Sequence, residues 1–326
     1  MLGDNFRPWG EIQWVFSKLP QLKWDIIGCI STEDRFIGTL TFLAQENFID
    51  RVSYWQIFDP PSRDSKIIKE KMDVNCKNFF SLGRKKNEIQ DFLLFDLHNK
   101  IISSINEFLS KTNGNIILDI TCFPKKFFFP ILKILKTFKL KNLIITYSSP
   151  EKYSSEELSS NPDSWGHLPL FGPSNFPESP VDIAIVGVGF MPFGLPQLLL
   201  SNYSSIPVKF LFPFPPGPPN YQRTWNFVRE IEESYTLKPV DDIIRVNANN
   251  LPDAFEHITQ LSDGGKKNLI FAPYGPKPFS LAMALFAIKY PSVVYYTQPH
   301  HYNPNYSIGL SQTFAYCIVL NEINLY

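Results

Sequence analysis

Apolar residues in this chain come in short β-branched or aromatic runs. Between them lie longer stretches where apolar positions recur every three or four residues, as in β-α units on a parallel sheet. In the first half the runs predict strands near 25–30, 52–58, 115–120 and 142–147, with helices near 35–47, 88–111 and 126–138. In the second half they predict strands near 182–187, 207–212, 242–246, 268–272 and 292–297, with helices near 194–202, 222–235, 252–262 and 279–289. Segment 314–320, Phe-Ala-Tyr-Cys-Ile-Val-Leu, reads as a last strand, with an antiparallel edge position open to it. Segment 154–180, rich in Ser, Pro, Asn and Gly, does not sustain regular structure for long. The boundaries that follow are a first unit over 1–153, a linker over 154–180 and a second unit over 181–326.

The two halves share landmarks in the same order. Trp24-Asp25-Ile26-Ile27-Gly28 is matched by Val181-Asp182-Ile183-Ala184-Ile185, and the segment from Tyr54 to Pro61 by the one from Lys209 to Pro216. Asn115-Ile116-Ile117-Leu118 is matched by Asn268-Leu269-Ile270-Phe271, and Tyr153 after Ser149-Pro150 by Tyr302 after Gln298-Pro299. The offset drifts only from 157 residues (24 to 181) to 149 (153 to 302), as two copies with small loop differences would give. The fold class expected is α/β: two tandem Rossmann-like parallel-sheet units from an internal duplication, packed about a pseudo-twofold axis.

Composition narrows the partners. The 326 residues are 44% hydrophobic and 19% charged, with a formal net charge of zero. That suits a globular protein with an ample core and gives no excess of positive charge for sequence-independent binding to DNA or RNA, so a nucleic-acid polymer is not the expected partner. No apolar run reaches the ~20 residues that cross a bilayer, and Met1-Leu2-Gly3-Asp4-Asn5 does not open a signal peptide, so no membrane partner and a cytoplasmic location are expected. Cys29, Cys76, Cys122 and Cys317 are far apart and read as buried free thiols.

Ligands of such folds bind at the carboxyl ends of the strands, which selects five loops. Asp119-Ile120-Thr121-Cys122-Phe123-Pro124-Lys125-Lys126 opens a helix and outlines an anion site, with Thr121, Lys125 and Lys126 as ligand contacts. The alternative is that Asp119 and Thr121 cap the helix, Phe123 packs and the lysines are solvated. Its counterpart, Ala272 to Ser280, offers Tyr274, Gly275, Lys277 and Ser280. After the first strand, Ser31 and Arg35 could grip a phosphate, against a reading of that loop as an N-cap with Glu33 and Asp34 complementing the dipole. The matching loop keeps Gly187 and Gly189 for close backbone approach. Thr297 to Ser307 is the richest, with Gln298, His300, His301, Tyr302 and Tyr306 offering groups that stack on bases and bond their edges. Adjacent histidines point different ways and no third ligand presents itself, so neither a metal nor a cofactor is called for. Lys66 to Lys86 reads as a solvated basic loop, and Phe212 to Pro219 as a rigid loop beside the sheet, with Arg223 and Trp225 just beyond it.

Strand-turn-helix elements with Thr or Ser and Lys just after a hydrophobic strand, as at 119–126 and 273–280, resemble the ligand loops of CARF domains and of SAVED domains. The Gly-Gly-Thr-Lys sequence frequent in CARF loops is replaced here by Cys122-Phe123-Pro124-Lys125. The resemblance implies a sensor of a nucleotide second messenger in prokaryotic antiviral defence, passing its signal to an effector or partner chain. Three readings stand at this point. The preferred one is a sensor of a small phosphate-bearing ligand held in a composite pocket at the strand carboxyl ends. The second is an enzyme acting on a nucleotide or nucleoside, with Asp119 or Glu33 as acid/base and His300 or His301 assisting. The third is a scaffold subunit of a defence complex.

Overall fold

Both halves build an α/β unit around a mainly parallel sheet. The computed structural model describes residues 6–173, 180–196, 199, 203–214, 220–232 and 235–326. One unit comprises 1–161 together with 299–326, and the other 162–298.

The first unit opens with β1 (Trp9–Glu11) and α1 (Ile12–Ser17), then β2 (Trp24–Ile30), α2 (Gly38–Gln45), β3 (Ile49–Phe58) and α3 (Ser65–Ser81). It continues through β4 (Ile89–Leu93), α4 (His98–Leu109), β5 (Asn115–Asp119), α5 (Lys125–Thr137), β6 (Asn142–Ser148) and the short β7 (Lys152–Tyr153) and β8 (Ser159–Pro162). The second unit carries β9 (Gly166–His167), β10 (Ile183–Gly187), β11 (Val208–Phe214), α6 (Asn220–Glu232), α7 (Pro239–Asp242) and β12 (Ile243–Asn247). It ends with α8 (Leu251–Leu261), β13 (Leu269–Pro273), α9 (Lys277–Lys289) and β14 (Ser292–Tyr296). The chain then returns to the first unit as β15 (Pro299–Tyr302), β16 (Ser307–Ile308), β17 (Thr313–Leu320) and β18 (Ile323–Asn324).

The first sheet runs β1-β17-β6-β5-β2-β3-β4, and the second β12-β11-β10-β13-β14-β9. Within each, five parallel strands take the order third, second, first, fourth, fifth. The landmark strands therefore occupy corresponding places: β2 with β10, β3 with β11, β5 with β13 and β6 with β14. Asp25 and Asp182 play one part in both. Asp25 accepts from the backbone N–H of Asn113 (3.2 Å) and Asp182 from that of Asn268 (2.7 Å), each anchoring the turn that enters the fourth strand. Asp25 is also held by Arg51 at 2.8 Å.

Alternation along the strands sorts the core into two faces. In the first unit Trp24, Ile26, Ile30, Val52 and Tyr54 join Phe36, Leu40 and Phe79 on the side of α1, α2 and α3. Trp55 is on the other, where it stacks on Phe92 (4.1 Å) and meets Phe123 and Phe127 edge-on. In the second unit Val186, Val208, Phe210 and Phe212 pack with Phe227 and Ile231 of α6.

Four expectations are corrected. Lys66 to Lys86 is not a loop: α3 spans most of it and buries a narrow stripe, Met72, Asn75 and Phe79, which its many lysines hide from a periodicity reading. The helix expected over 88–111 is β4 followed by α4, because one hydrophobic pattern merged across the turn at 94–97. The expected linker contains β8 and β9, of which β9 pairs antiparallel with β14; 174–179 lie outside the described residues. Finally, 313–320 is no part of the second unit. As β17 it lies antiparallel between β1 and β6 of the first sheet, so the second unit ends at 298 and not at 326. Among the described residues no helix is long and apolar enough to cross a membrane.

Candidate functional site

In the first unit the strand order reverses between β2 and β5, where an open α/β sheet leaves a crevice at its carboxyl end. The loops after these strands do meet there, and they fill the crevice with their own side chains. Arg35 is 3% exposed. It donates to Glu33 (2.9 Å), the Ser148 carbonyl (3.0 Å) and the Tyr147 hydroxyl (3.3 Å), and lies over the Tyr147 and Tyr153 rings. Burial opposes its charge, and Glu33 with the two tyrosines outweighs that, holding its pKa above the usual range. Arg35 is thus an internal cation and not a phosphate grip.

Glu33 is committed likewise, to Arg35 and to the Ser307 hydroxyl. Ser31 accepts from the Glu33 N–H at 3.1 Å, closing its own turn. Asp119 accepts from both the N–H and the hydroxyl of Thr121, and Thr121 in turn accepts from the Ser148 N–H at 2.9 Å. That network ties β5 to β6 and leaves Thr121 buried, facing no ligand. Burial pushes the Asp119 carboxyl up to about 6, against the bonds from Thr121 and Thr39 and the pull of Arg35. Asp119 is 2% exposed and Glu33 is engaged by Arg35 and Ser307, so neither of these alternatives for the acid/base stands open to a substrate.

The accessible groups lie beside this crevice, on the same carboxyl-end face. Pro124 caps α5 and Lys125 begins it, but Lys125 is buried. Lys126 is the one turned outward, its ammonium 4.5 Å from the centre of the Phe95 ring. Phe95 follows β4, is 38% exposed, and takes His300 at 4.8 Å in an edge-on contact. Three loops, after β4, after β5 and at β15, therefore converge on one ring. Two residues on, the Tyr302 N–H donates to Asp59 at 3.0 Å, just past the end of β3. His301 sits between them with its Nδ1 buried. Lys71 donates to the Pro304 carbonyl and Asn305, which fixes the rest of the loop on α3. The segment 299–307 thus belongs to the first unit, and not, as its position in the chain suggests, with Lys277 in the second.

Burial pushes the Asp59 carboxyl up to about 6, although the Tyr302 N–H pulls it down. An unfolded aspartate titrates near 3.9, so between about pH 4 and 6 the folded chain keeps a proton that the unfolded chain has lost. Stability contributed by this group falls as pH rises through that window. Asp59→Asn, whose side-chain carbonyl still accepts from Tyr302, is expected to be more stable than wild type at pH 7.5 by about 1–3 kcal/mol and equal to it below pH 4. Urea unfolding at the two pH values checks this; a variant weaker than wild type at pH 7.5 would mean that the ionised carboxylate is needed by the fold.

In the second unit the turn after β13 packs against the loop after β10. A Cβ on Gly189 would stand 2.2 Å from the Tyr274 carbonyl oxygen, and one on Gly275 3.0 Å from the Val188 carbonyl. The glycines thus serve a close approach of backbone to backbone. The Tyr274 hydroxyl bonds Thr297 (2.9 Å), its ring meets Phe227 and Tyr296, and burial pushes its pKa up to about 12. Lys277 opens α9 behind Pro276 and is partly exposed. Ser280 is fully buried within α9 and Gln298 is buried. Arg223 lies 5.6 Å from the Phe190 ring and Trp225 packs on Phe212; Pro215 to Pro219 lie outside the described residues.

Sequence reasoning passed over Asp59 and Phe95. Asp59 was legible as the acid that ends a predicted strand. Phe95 was not, because its segment was read as helix.

No family model matches the chain, and no curated protein matches it. Among solved structures, it shows 9% identity to a functionally unknown protein from Pseudomonas aeruginosa PAO1, covering 85% of this chain and 92% of that one at a TM-score of 0.24. A universal stress protein from Archaeoglobus fulgidus DSM 4304 is also 9% identical, with 84% and 96% covered at a TM-score of 0.23. At TM-scores this low neither likeness bears on ligand or activity.

Proposed function

We propose that the chain binds a small phosphate-bearing ligand on the carboxyl-end face of its first unit, with the anion at Lys126 and His300 and an apolar face of the ligand against Phe95. The observation that carries this reading is the convergence of two side chains, Lys126 from the start of α5 and His300 from β15, on the one partly exposed ring of Phe95. An ammonium beside an aromatic face and an imidazole suits an anion attached to a flat ring system, as in a nucleotide. The role we favour is that of a cytoplasmic sensor for a nucleotide second messenger, handing its signal to a partner chain, as the resemblance to CARF and SAVED domains implies. Common descent of the two units, supported by their shared strand order and the paired Asp25 and Asp182 anchors, fits that family pattern.

Lys126→Ala is expected to weaken binding of nucleotides about ten- to a hundredfold, the worth of a charge-assisted contact of roughly 1.5–3 kcal/mol, with the melting temperature unchanged. Calorimetric titration with linear and cyclic nucleotides checks it. Lack of binding by the wild type, or equal binding by the variant, overturns the assignment.

A further inference from the structure

Beside the Phe95 platform, the first unit has a cleft of about 310 Å³ between the end of β3 and α3, within the size range of small-molecule sites. Its walls divide by chemistry. Phe58, Ile68 and Met72 are apolar, while Asp59, Asp73, Gln56 and Lys69 are polar. Asp59 is anchored by one oxygen only, Oδ2, to the Tyr302 N–H. Gln56 donates its amide to the Cys76 sulfur at 3.2 Å, which orients its side chain and leaves the carbonyl oxygen as an acceptor. A carboxylate oxygen and an amide oxygen beside apolar walls suit neighbouring hydroxyls on a compact ring with C–H faces, as on a sugar. Asp73 also lines the cleft and Lys69 brings a compensating charge, and among the described residues no group of three or more His, Cys, Asp or Glu side chains is placed to hold a metal ion.

The cleft is tied to the platform through β15. His300 touches Phe95 and Tyr302 holds Asp59, two residues apart on an extended strand, or about 7 Å at ~3.3 Å per residue. The sugar and phosphate of one nucleotide bridge such a gap.

We infer that the Asp59 cleft is the sugar subsite of the ligand held at Lys126 and Phe95, and that its carboxylate accepts from the ribose hydroxyls, so that the ligand is a ribonucleotide. This rests on the phosphate site proposed above and adds the sugar to it.

The test titrates wild type, Asp59→Asn and Lys126→Ala with adenosine and guanosine 5′-monophosphates, with their 2′-deoxy counterparts and with pyrophosphate. Wild type should prefer the ribose forms about tenfold, since loss of one hydroxyl strands an acceptor. Asp59→Asn should bring that ratio close to one, while Lys126→Ala should weaken both sugars by the same factor and keep the ratio. Equal affinity for ribose and deoxyribose in the wild type, or a ratio that Asp59→Asn does not change, overturns the sugar subsite and leaves the phosphate site standing. Binding of pyrophosphate alone does the same. Failure of every probe to bind overturns both.

Discussion

Arg35→Met is expected to cost about 3–5 kcal/mol of folding stability, because it leaves the Glu33 carboxylate at the crevice without its cation. The guanidinium cannot be replaced from solvent: it is enclosed by Glu33, Ser148, Tyr147 and Tyr153, and its cationic charge also rests on the two tyrosine rings. The pair does more than bridge two loops. Glu33 also accepts from Ser307, so losing Arg35 leaves unsupported one anchor of the strap from 299 to 307, which Asp59 and Lys71 still hold. The double variant Glu33→Gln with Arg35→Met removes both charges and should recover much of the loss, since a buried pair replaced by neutral groups is often close to neutral in stability. Urea unfolding of the two variants, with proteolysis to report on the strap, checks the idea. A loss under about 1 kcal/mol for Arg35→Met would mean that the pair behaves as an exposed one.

Gly28→Ala is expected to be comparably damaging for a steric reason. A Cβ there would lie 2.4, 2.6 and 2.9 Å from three ring atoms of Tyr54. Tyr54 is fully buried and rests on Phe79 at 5.1 Å, so the ring has no free direction in which to move. Overpacking of this kind costs about 1–3 kcal/mol and occasionally more, and three contacts under 3.0 Å put this site at the upper end. Tyr54→Phe in the same chain should give no relief, because the clash is with the ring and not the hydroxyl. Tyr54→Leu should restore part of the loss. If Gly28→Ala melts with the wild type, β2 and β3 do not lie in the register that pairs Gly28 with Tyr54.

These two sites mark where local pattern stops being enough. Gly28 was legible only as one residue of an apolar run, and nothing local said that an aromatic ring from the next strand would cover it. The Ser31–Arg35 and Asp119–Lys126 loops were legible as the carboxyl-end loops that meet, since strand order and parallel direction place them so. Which of their polar groups face outward was not. Arg35, Thr121 and Asp119 found partners inside, while Lys126 found an exposed ring. A charged side chain such as Arg35 reads the same in a sequence whether it meets a ligand or a backbone carbonyl 113 residues away.

What the amino-acid order determined by itself is the set of β-α units, the loops at their carboxyl ends and the ordered landmarks that later fell on corresponding strands. Those depend on short-range periodicity, turn residues and β-branched runs, all of which act within a few positions. The stretch from 66 to 111 failed because the signal there is thin: three buried residues in a lysine-rich helix, and a five-residue strand run into the helix after it. Only the tertiary structure decided that 313–320 returns to pair with β1 and β6, since strand partners are selected by backbone bonds and burial on a face completed far away in sequence. That return carries His300 and Tyr302 to Phe95 and Asp59, so the candidate site is a product of the pairing and of no single segment.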